Sequence, residues 1–318
     1  MRKAIEGSNV LVTGGAGFIG SHLVDELLKH NAKSVVIIDN MFLGKVENLA
    51  KALAQGAFLY KEDAENYSSL EAVIENHYIE VVFNCATKAL NYSFIDPRDA
   101  FTTNVSVVGN LLEMQRLGKF KTLCHFSSSE VYGTALYEPM DEAHPYNPTT
   151  TYAGGKAAAD LMVRTYVNMF DIDAFIVRPF NNYGPRQNAE PPLAGIIPIT
   201  CKRILEGKAP ELHGTGKQSR DFIHVLDTVD AVLKLYDVIA PGQEVNISAQ
   251  GTISMKEIIE LICEFIDYQG DIIEKVRRGA DVDCHNATNE VLMRMIDFKP
   301  RNFKQGLADT VEWYKKNL

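Results

Sequence analysis

The chain has little of what marks a secreted, membrane-spanning or nucleic-acid-binding protein. Its 318 residues contain only five cysteines: Cys85, Cys124, Cys201, Cys263 and Cys284. They are odd in number, scattered and without metal-ligand spacing, so they read as reduced, mostly buried thiols in a cytoplasmic protein, and no metal site is expected. No apolar run approaches membrane-spanning length, and the N-terminus lacks a signal-peptide core. Positive charge is not in excess either: 32 Lys and Arg stand against 41 Asp and Glu, a formal net charge of −9. That balance argues against generic binding to nucleic acid or to an anionic membrane. Any anionic ligand must instead be met by a local cluster of arginine or lysine. Repeats, low-complexity tracts and flexible linkers are missing as well. What remains is ordinary globular composition, 46% hydrophobic and 23% charged, in a chain long enough for one large α/β unit or a core with a smaller partner.

The strongest positive feature is Val10-Leu-Val-Thr-Gly-Gly-Ala-Gly-Phe-Ile-Gly20. It reads as a buried strand, a glycine turn with Gly14, Gly17 and Gly20 at G-x-x-G-x-x-G spacing, and an amphipathic helix (Ile19, Leu23, Leu27, Leu28). In a dinucleotide fold such glycines permit the tight turn, the close approach of backbone to a pyrophosphate and close helix–strand packing. The N–H groups at the start of the helix, near Phe18 and Ile19, would then hold phosphate. The next apolar run, Ser34-Val-Val-Ile-Ile-Asp39, ends in an acid about 20 residues on, where a carboxylate accepts hydrogen bonds from the adenosine ribose. Asn40-Met41-Phe42 come next, with no arginine to neutralise a ribose phosphate, so NAD is favoured over NADP.

Strand-like runs alternate with amphipathic segments through the first half. The strands are expected at Val10–Val12, Val35–Ile38, Ala57–Tyr60, Glu80–Asn84 and Thr122–Phe126, with helices near 17–29, 68–76, 100–117 and 151–169. A strand at Ala174–Val177 comes after them. This alternation predicts a doubly wound, mostly parallel sheet with helices on both faces. Prolines then cluster at Pro185, Pro191, Pro192 and Pro198, and the character changes. Further elements are expected as a helix near 228–238, a strand at Glu244–Ile247 and a last helix around 307–316.

Tyr152-Ala-Gly-Gly-Lys156 puts a phenol and an ammonium one helical turn apart, so the lysine charge can act on the tyrosine. Free tyrosine titrates near 10, too high for a base at neutrality; a neighbouring Lys⁺ and a positive nicotinamide both favour the phenolate. Gly154 and Gly155 cost the helix about 1 kcal/mol each relative to alanine, which suggests close packing or close ligand approach. The run Ser127-Ser-Ser-Glu-Val-Tyr-Gly133 lies just past a strand end, where open parallel sheets bind ligands; a serine hydroxyl there can serve a reacting oxygen.

Together these segments, with Ile38-Asp-Asn40, Arg178-Pro-Phe-Asn-Asn-Tyr-Gly-Pro-Arg186, Arg220-Asp-Phe-Ile-His-Val225 and the ending Phe298…Tyr314, resemble the extended short-chain dehydrogenase/reductase superfamily, in its NAD-dependent nucleotide-sugar epimerase/dehydratase branch. The resemblance spans nearly the whole chain. It implies a Rossmann-type α/β fold with a smaller mixed α/β cap: residues 1–180 binding NAD, with a segment returning near 219–250, and residues 181–218 and 251–318 capping a nucleotide-diphosphate sugar. Carried over by position, it makes Ser128 the hydroxyl partner, Tyr152 the base and Lys156 its activator and a ribose contact. Asp63, followed by Ala64, matches the acid that contacts adenine, and Asn104 an asparagine near the cofactor. Asn181, Arg220 and Arg278 match positions that hold the substrate diphosphate. A homodimer through the helices at 100–117 and 152–169 is implied by the same likeness.

Members of this branch share oxidation at sugar C4 and differ in the later steps. Glu130 occupies the position of the base that takes the C5 proton in the 4,6-dehydratases, so a nucleotide-hexose 4,6-dehydratase is the favoured reading. Two departures keep others open. Ser129 stands where many dehydratases carry an aspartate that protonates the leaving hydroxyl. Lys88 stands where a small residue is usual, and Asn91 where several relatives carry arginine. Lys88 could meet a substrate carboxylate or phosphate, or sit in solvent; a 4-epimerase or a uronate decarboxylase is the alternative. A non-catalytic NAD-binding regulator would tend to lose the tyrosine, lysine or serine, and a simple ketone reductase would not need the diphosphate-binding arginines.

Overall fold

The computed structural model describes residues 2–276 and 284–318. Its first half alternates as β1 (Asn9–Thr13), α1 (Phe18–Lys29), β2 (Ser34–Ile38), α2 (Ala50–Ala54), β3 (Phe58–Tyr60), α3 (Tyr67–Asn76), β4 (Val81–Asn84), α4 (Pro97–Arg116), β5 (Thr122–Phe126), α5 (Thr151–Phe170) and β6 (Asp173–Pro179). The chain then runs through β7 (Asn181–Tyr183), α6 (Ile196–Leu205), β8 (Glu211–His213), β9 (Ser219–His224), α7 (Val225–Tyr236), β10 (Glu244–Ile247), β11 (Thr252–Ser254), α8 (Met255–Ile266), β12 (Ile273–Lys275), β13 (Cys284–His285), α9 (Glu290–Met295) and α10 (Phe303–Asn317).

Among the described residues, seven strands form one parallel sheet in the order β10-β6-β5-β4-β1-β2-β3. β1 is buried along its whole length, as a central parallel strand covered on both faces must be. Its side chains alternate: Val10 and Val12 pack with Leu23 and Leu27 of α1, while Leu11 joins Val36, Leu70, Val107 and Leu111 on the side of α3, α4 and α5. The order reverses at β1, placing a crevice at the strand ends between β1 and β4, where doubly wound folds bind ligands.

The long helices α4 and α5 pack side by side. α4 starts where Asp96 accepts from the Asp99 N–H and Pro97 takes the first turn; α5 starts at Thr150, whose hydroxyl accepts from the Ala153 N–H. Both are strong N-terminal signals. At Gly155 the backbones approach closely: a Cβ there would lie 2.6 Å from the Phe101 carbonyl oxygen, whereas one at Gly154 would make ordinary contact with the Phe101 ring at 3.5 Å. The two glycines therefore serve different ends, and only Gly155 is fixed by packing.

Of the stretch 219–250, β10 joins the large sheet beside β6 and α7 packs on α1. β9 instead centres a four-stranded sheet, pairing with β11, β13 and β7. A second apolar cluster of Tyr183, Ile197, Ile258, Ile262, Leu307 and Val311 holds α6, α8 and α10 against this layer. β6, α5 and β10 are tied by charge. Arg178, fully buried, donates to Asp160 at 2.8 Å, to Glu244 at 2.7 Å, to Tyr146 and to Tyr132.

Candidate active site

A cavity of about 590 Å³ crosses the C-terminal ends of the parallel strands and extends to the smaller sheet. At one end lies the glycine turn. Gly14 has φ +67°, and a Cβ on it would sit 2.8 Å from the backbone of Ala86; a Cβ on Gly20 would meet the Gly14 carbonyl oxygen at 2.3 Å. α1 opens at Gly17 with no side-chain cap on its first N–H groups, and Phe18 and Ile19 line the cavity. Asp39, at the end of β2, accepts from the Ala16 N–H at 2.9 Å and the Met41 N–H at 2.8 Å. Burial pushes its carboxyl upward against those bonds. Asn40 donates to Asp63 at 2.8 Å, and Asp63 and Ala64 also face the cavity. Asn104 is not a lining residue; it stands one layer behind, accepting from the Thr87 hydroxyl at 2.7 Å. A backbone cradle that side chains would fill, an uncapped helix start and a carboxylate at the second strand end fit a dinucleotide.

The middle of the cavity brings together Ser128, Glu130, Tyr152 and Lys156. Lys156 is almost wholly buried and donates to the Phe126 carbonyl at 2.7 Å. Desolvation pulls its ammonium down to about 8, with Asp160 one turn along opposing the fall. The Tyr152 phenol goes the other way. Desolvation raises it to about 12, with the Ser128 and Thr87 hydrogen bonds lowering it and the charge of Glu130 raising it. In the free protein the leading influences on the Tyr152 phenol are its burial and the nearby Ser128, Glu130 and Thr87. Burial of the phenol dominates, and the lysine ammonium is committed to the end of β5.

Ser128 caps a short 3₁₀ turn over Ser129–Tyr132, its hydroxyl accepting from the Glu130 N–H at 3.2 Å. This turn carries the serine and the acid onto one wall. Glu130 Oε1 lies 3.7 Å from Nδ1 of His285 on β13. The sequence gives no signal for His285, because a two-residue strand has no periodicity to read.

At the far end stand Asn181, which donates to the Asp221 carbonyl at 3.0 Å, and Arg220, which donates to the Ser219 carbonyl at 2.9 Å and is 8% exposed. Arg186 and Arg203 also line this end; the first closes the 178–186 motif, the second belongs to none. Arg278 lies outside the described residues. Lys88 lines the cavity, yet its ammonium sits 3.2 Å from Asp99 and 4.2 Å over the Phe42 ring. Its charge is matched locally, so it is not a solvent-facing cation. Asn91 donates to the carbonyls of Pro192 and Ala194, pinning the loop after β7.

Comparison with known proteins agrees with this geometry. Over 308 residues the chain is 31% identical to the UDP-glucose 4-epimerase of Mycolicibacterium smegmatis, covering 96% of this chain and 98% of that one. It is 32% identical over 321 residues to the dTDP-glucose 4,6-dehydratase of Mycobacterium tuberculosis, covering 97% and 93%. The crystal structure of dTDP-glucose 4,6-dehydratase from Bacillus anthracis in complex with NAD superposes with a TM-score of 0.87 at 29% identity, covering 98% of this chain and 97% of that one. Residues 10–248 match the NAD dependent epimerase/dehydratase family, to which this chain, with its Rossmann-type sheet and its NAD cradle, belongs.

Proposed function

We propose that the protein is a nucleotide-hexose 4,6-dehydratase. One observation carries this reading: Glu130 faces the cavity on the same wall as Ser128, close enough for its charge to raise the Tyr152 phenol. An epimerase has no use for a second base there, whereas removal of the C5 proton requires one. In this reading residues 1–180 hold the cofactor, and residues 181–218 and 251–318 cap the sugar nucleotide. Gly14, Gly17, Phe18 and Ile19 hold the pyrophosphate, and Asp39, Asn40, Asp63 and Ala64 the adenosine.

Bound NAD supplies a two-electron acceptor that is regenerated within the cycle. Tyr152 takes the proton of the C4 hydroxyl while Ser128 holds that oxygen and Lys156 stabilises the phenolate. The resulting C4 ketone acidifies the C5 proton, which Glu130 removes as the C6 hydroxyl departs. Asn181 and Arg220 hold the diphosphate, a local positive site in a net-acidic chain. Phe101, Leu161, Met169 and Phe170 leave apolar surface exposed on α4 and α5, which supports a homodimer through those helices.

Ser129 favours a second reading. It stands where a carboxylic acid would protonate the leaving hydroxyl, and a 4-epimerase needs no such acid. The pairing of Lys88 with Asp99 leaves the uronate decarboxylase without the cation that recommended it. Product mass decides among these after incubation with UDP-glucose, dTDP-glucose and UDP-glucuronate. Loss of one water from a hexose is the expected result. An unchanged mass with a new isomer would replace the dehydratase by the epimerase, and loss of carbon dioxide would replace both.

A further inference from the structure

We propose that His285 is a positioning residue for Glu130, and that the two side chains act as one acid–base unit that supplies the proton Ser129 cannot. The inference rests on the dehydratase reading and deepens it.

His285 is fully buried, and its Nε2 lies 2.8 Å from the Gly133 carbonyl oxygen. A carbonyl only accepts, so Nε2 carries a proton. That carbonyl is firmly placed: Gly133 has φ +61°, and a Cβ there would fall 1.9 Å from the Asn147 carbonyl oxygen. The adjoining backbone is held too, as the Met140 N–H donates to the Asn286 carbonyl at 2.8 Å. With Nε2 anchored, Nδ1 is turned towards Glu130 Oε1 at 3.7 Å. A nitrogen lone pair facing a carboxylate is repulsive, so the favourable arrangement places one proton between them. The contact is longer than a hydrogen bond, as such catalytic contacts often are before substrate binds. Among the described residues the neighbouring groups include Tyr152 on α5, which feels the Glu130 charge, Arg220 on β9, in register with His285, and Cys284, whose thiol contacts Glu138.

The proton inventory then closes. The resting pair holds one proton. Glu130 takes the C5 proton and the C5–H electrons pass into an enolate on the C4 ketone; the enolate electrons then form the C5–C6 double bond as the C6–O bond breaks. The proton already shared with His285 goes to the departing hydroxyl, which leaves as water. The pair ends with the one proton it began with, and no further acid is required.

Two measurements test this. In full-length protein labelled with ¹⁵N-histidine, without substrate, Glu130→Gln should lower the titration midpoint of His285 by about one pH unit or more, since a neutral amide no longer stabilises the imidazolium. With dTDP-glucose and UDP-glucose in deuterated water, His285→Asn should slow water loss about 100-fold, within the range of general acid catalysis. It should slow deuterium entry at C5 of recovered sugar less than tenfold, because Glu130 remains as base; His285→Gln serves if the asparagine variant does not fold. A His285 midpoint unmoved by Glu130→Gln, or elimination and exchange falling in step, overturns the pair while wild-type dehydration leaves the broader reading standing. A wild type that removes no water from either sugar overturns both.

Discussion

Replacing Lys156 by methionine should make the free protein more stable at pH 7, although it removes a residue assigned to the chemistry. The lysine is 2% exposed, and desolvation pulls its ammonium from 10.5 to about 8. At 1.36 kcal/mol per pH unit, that fall corresponds to about 3 kcal/mol against the charged form in the folded state. Methionine keeps most of the volume and removes the charge, but strands the Phe126 carbonyl, whose bond from Nζ is 2.7 Å; that loss costs about 1 kcal/mol. The net gain is about 2 kcal/mol. Its pH dependence identifies the cause. Between pH 8 and 10.5 the unfolded chain holds the lysine proton more tightly than the folded one, so wild-type stability rises with pH through that window. In Lys156→Met the rise is absent. Urea unfolding at pH 7 and 10 should therefore show the variant ahead at the lower pH and its advantage gone at the higher. A variant less stable at pH 7, or a difference that does not change with pH, would refute the reasoning.

Packing and buried charge give two further outcomes. Arg178→Met should destabilise by about 3–5 kcal/mol, because Asp160 and Glu244 lose a buried partner; a shift under 1 kcal/mol in urea would show that the ion network carries no weight. Gly154→Ala should stabilise α5 by up to about 1 kcal/mol, whereas Gly155→Ala should cost about 1–3 kcal/mol by pushing α4 from α5. Thermal unfolding of both variants separates them, and an equal response would contradict the distances to Phe101.

The large sheet was legible because each strand carries its own signal. A continuous apolar run, a glycine turn and an acid at the end of the second strand are local facts, and β1, β2, β4, β5 and β6 stand within a few residues of where they are expected. The last helix is expected at 307 and begins at Phe303, because Asn302 caps it from outside the apolar pattern. The smaller layer was much less legible. β7, β8, β11 and β12 have three residues each and β13 two, too few for alternation to appear, and their pairing is set by contacts far apart in sequence. The same limit applies to side chains. Nothing beside Lys88 in sequence announces Asp99 or the Phe42 ring, and nothing beside Glu130 announces His285. The high Tyr152 phenol also escaped a reading by spacing, because helical spacing brings a charge near but says nothing of desolvation.

The strand order has a bearing on how the chain is made. The large sheet is finished at its β6 edge by β10, which leaves the ribosome about 65 residues after Pro179. At about 5–20 residues per second, that is an interval of roughly 3–13 s. Throughout it the edge of β6 is open and Arg178 lacks Glu244, so the nascent sheet presents an unpaired strand beside an incompletely neutralised buried cation. Strand edges of that kind are where chains associate wrongly. Co-translational folding of this protein is thus gated by a short segment from beyond residue 240, and a chain halted before it should be a client for chaperones.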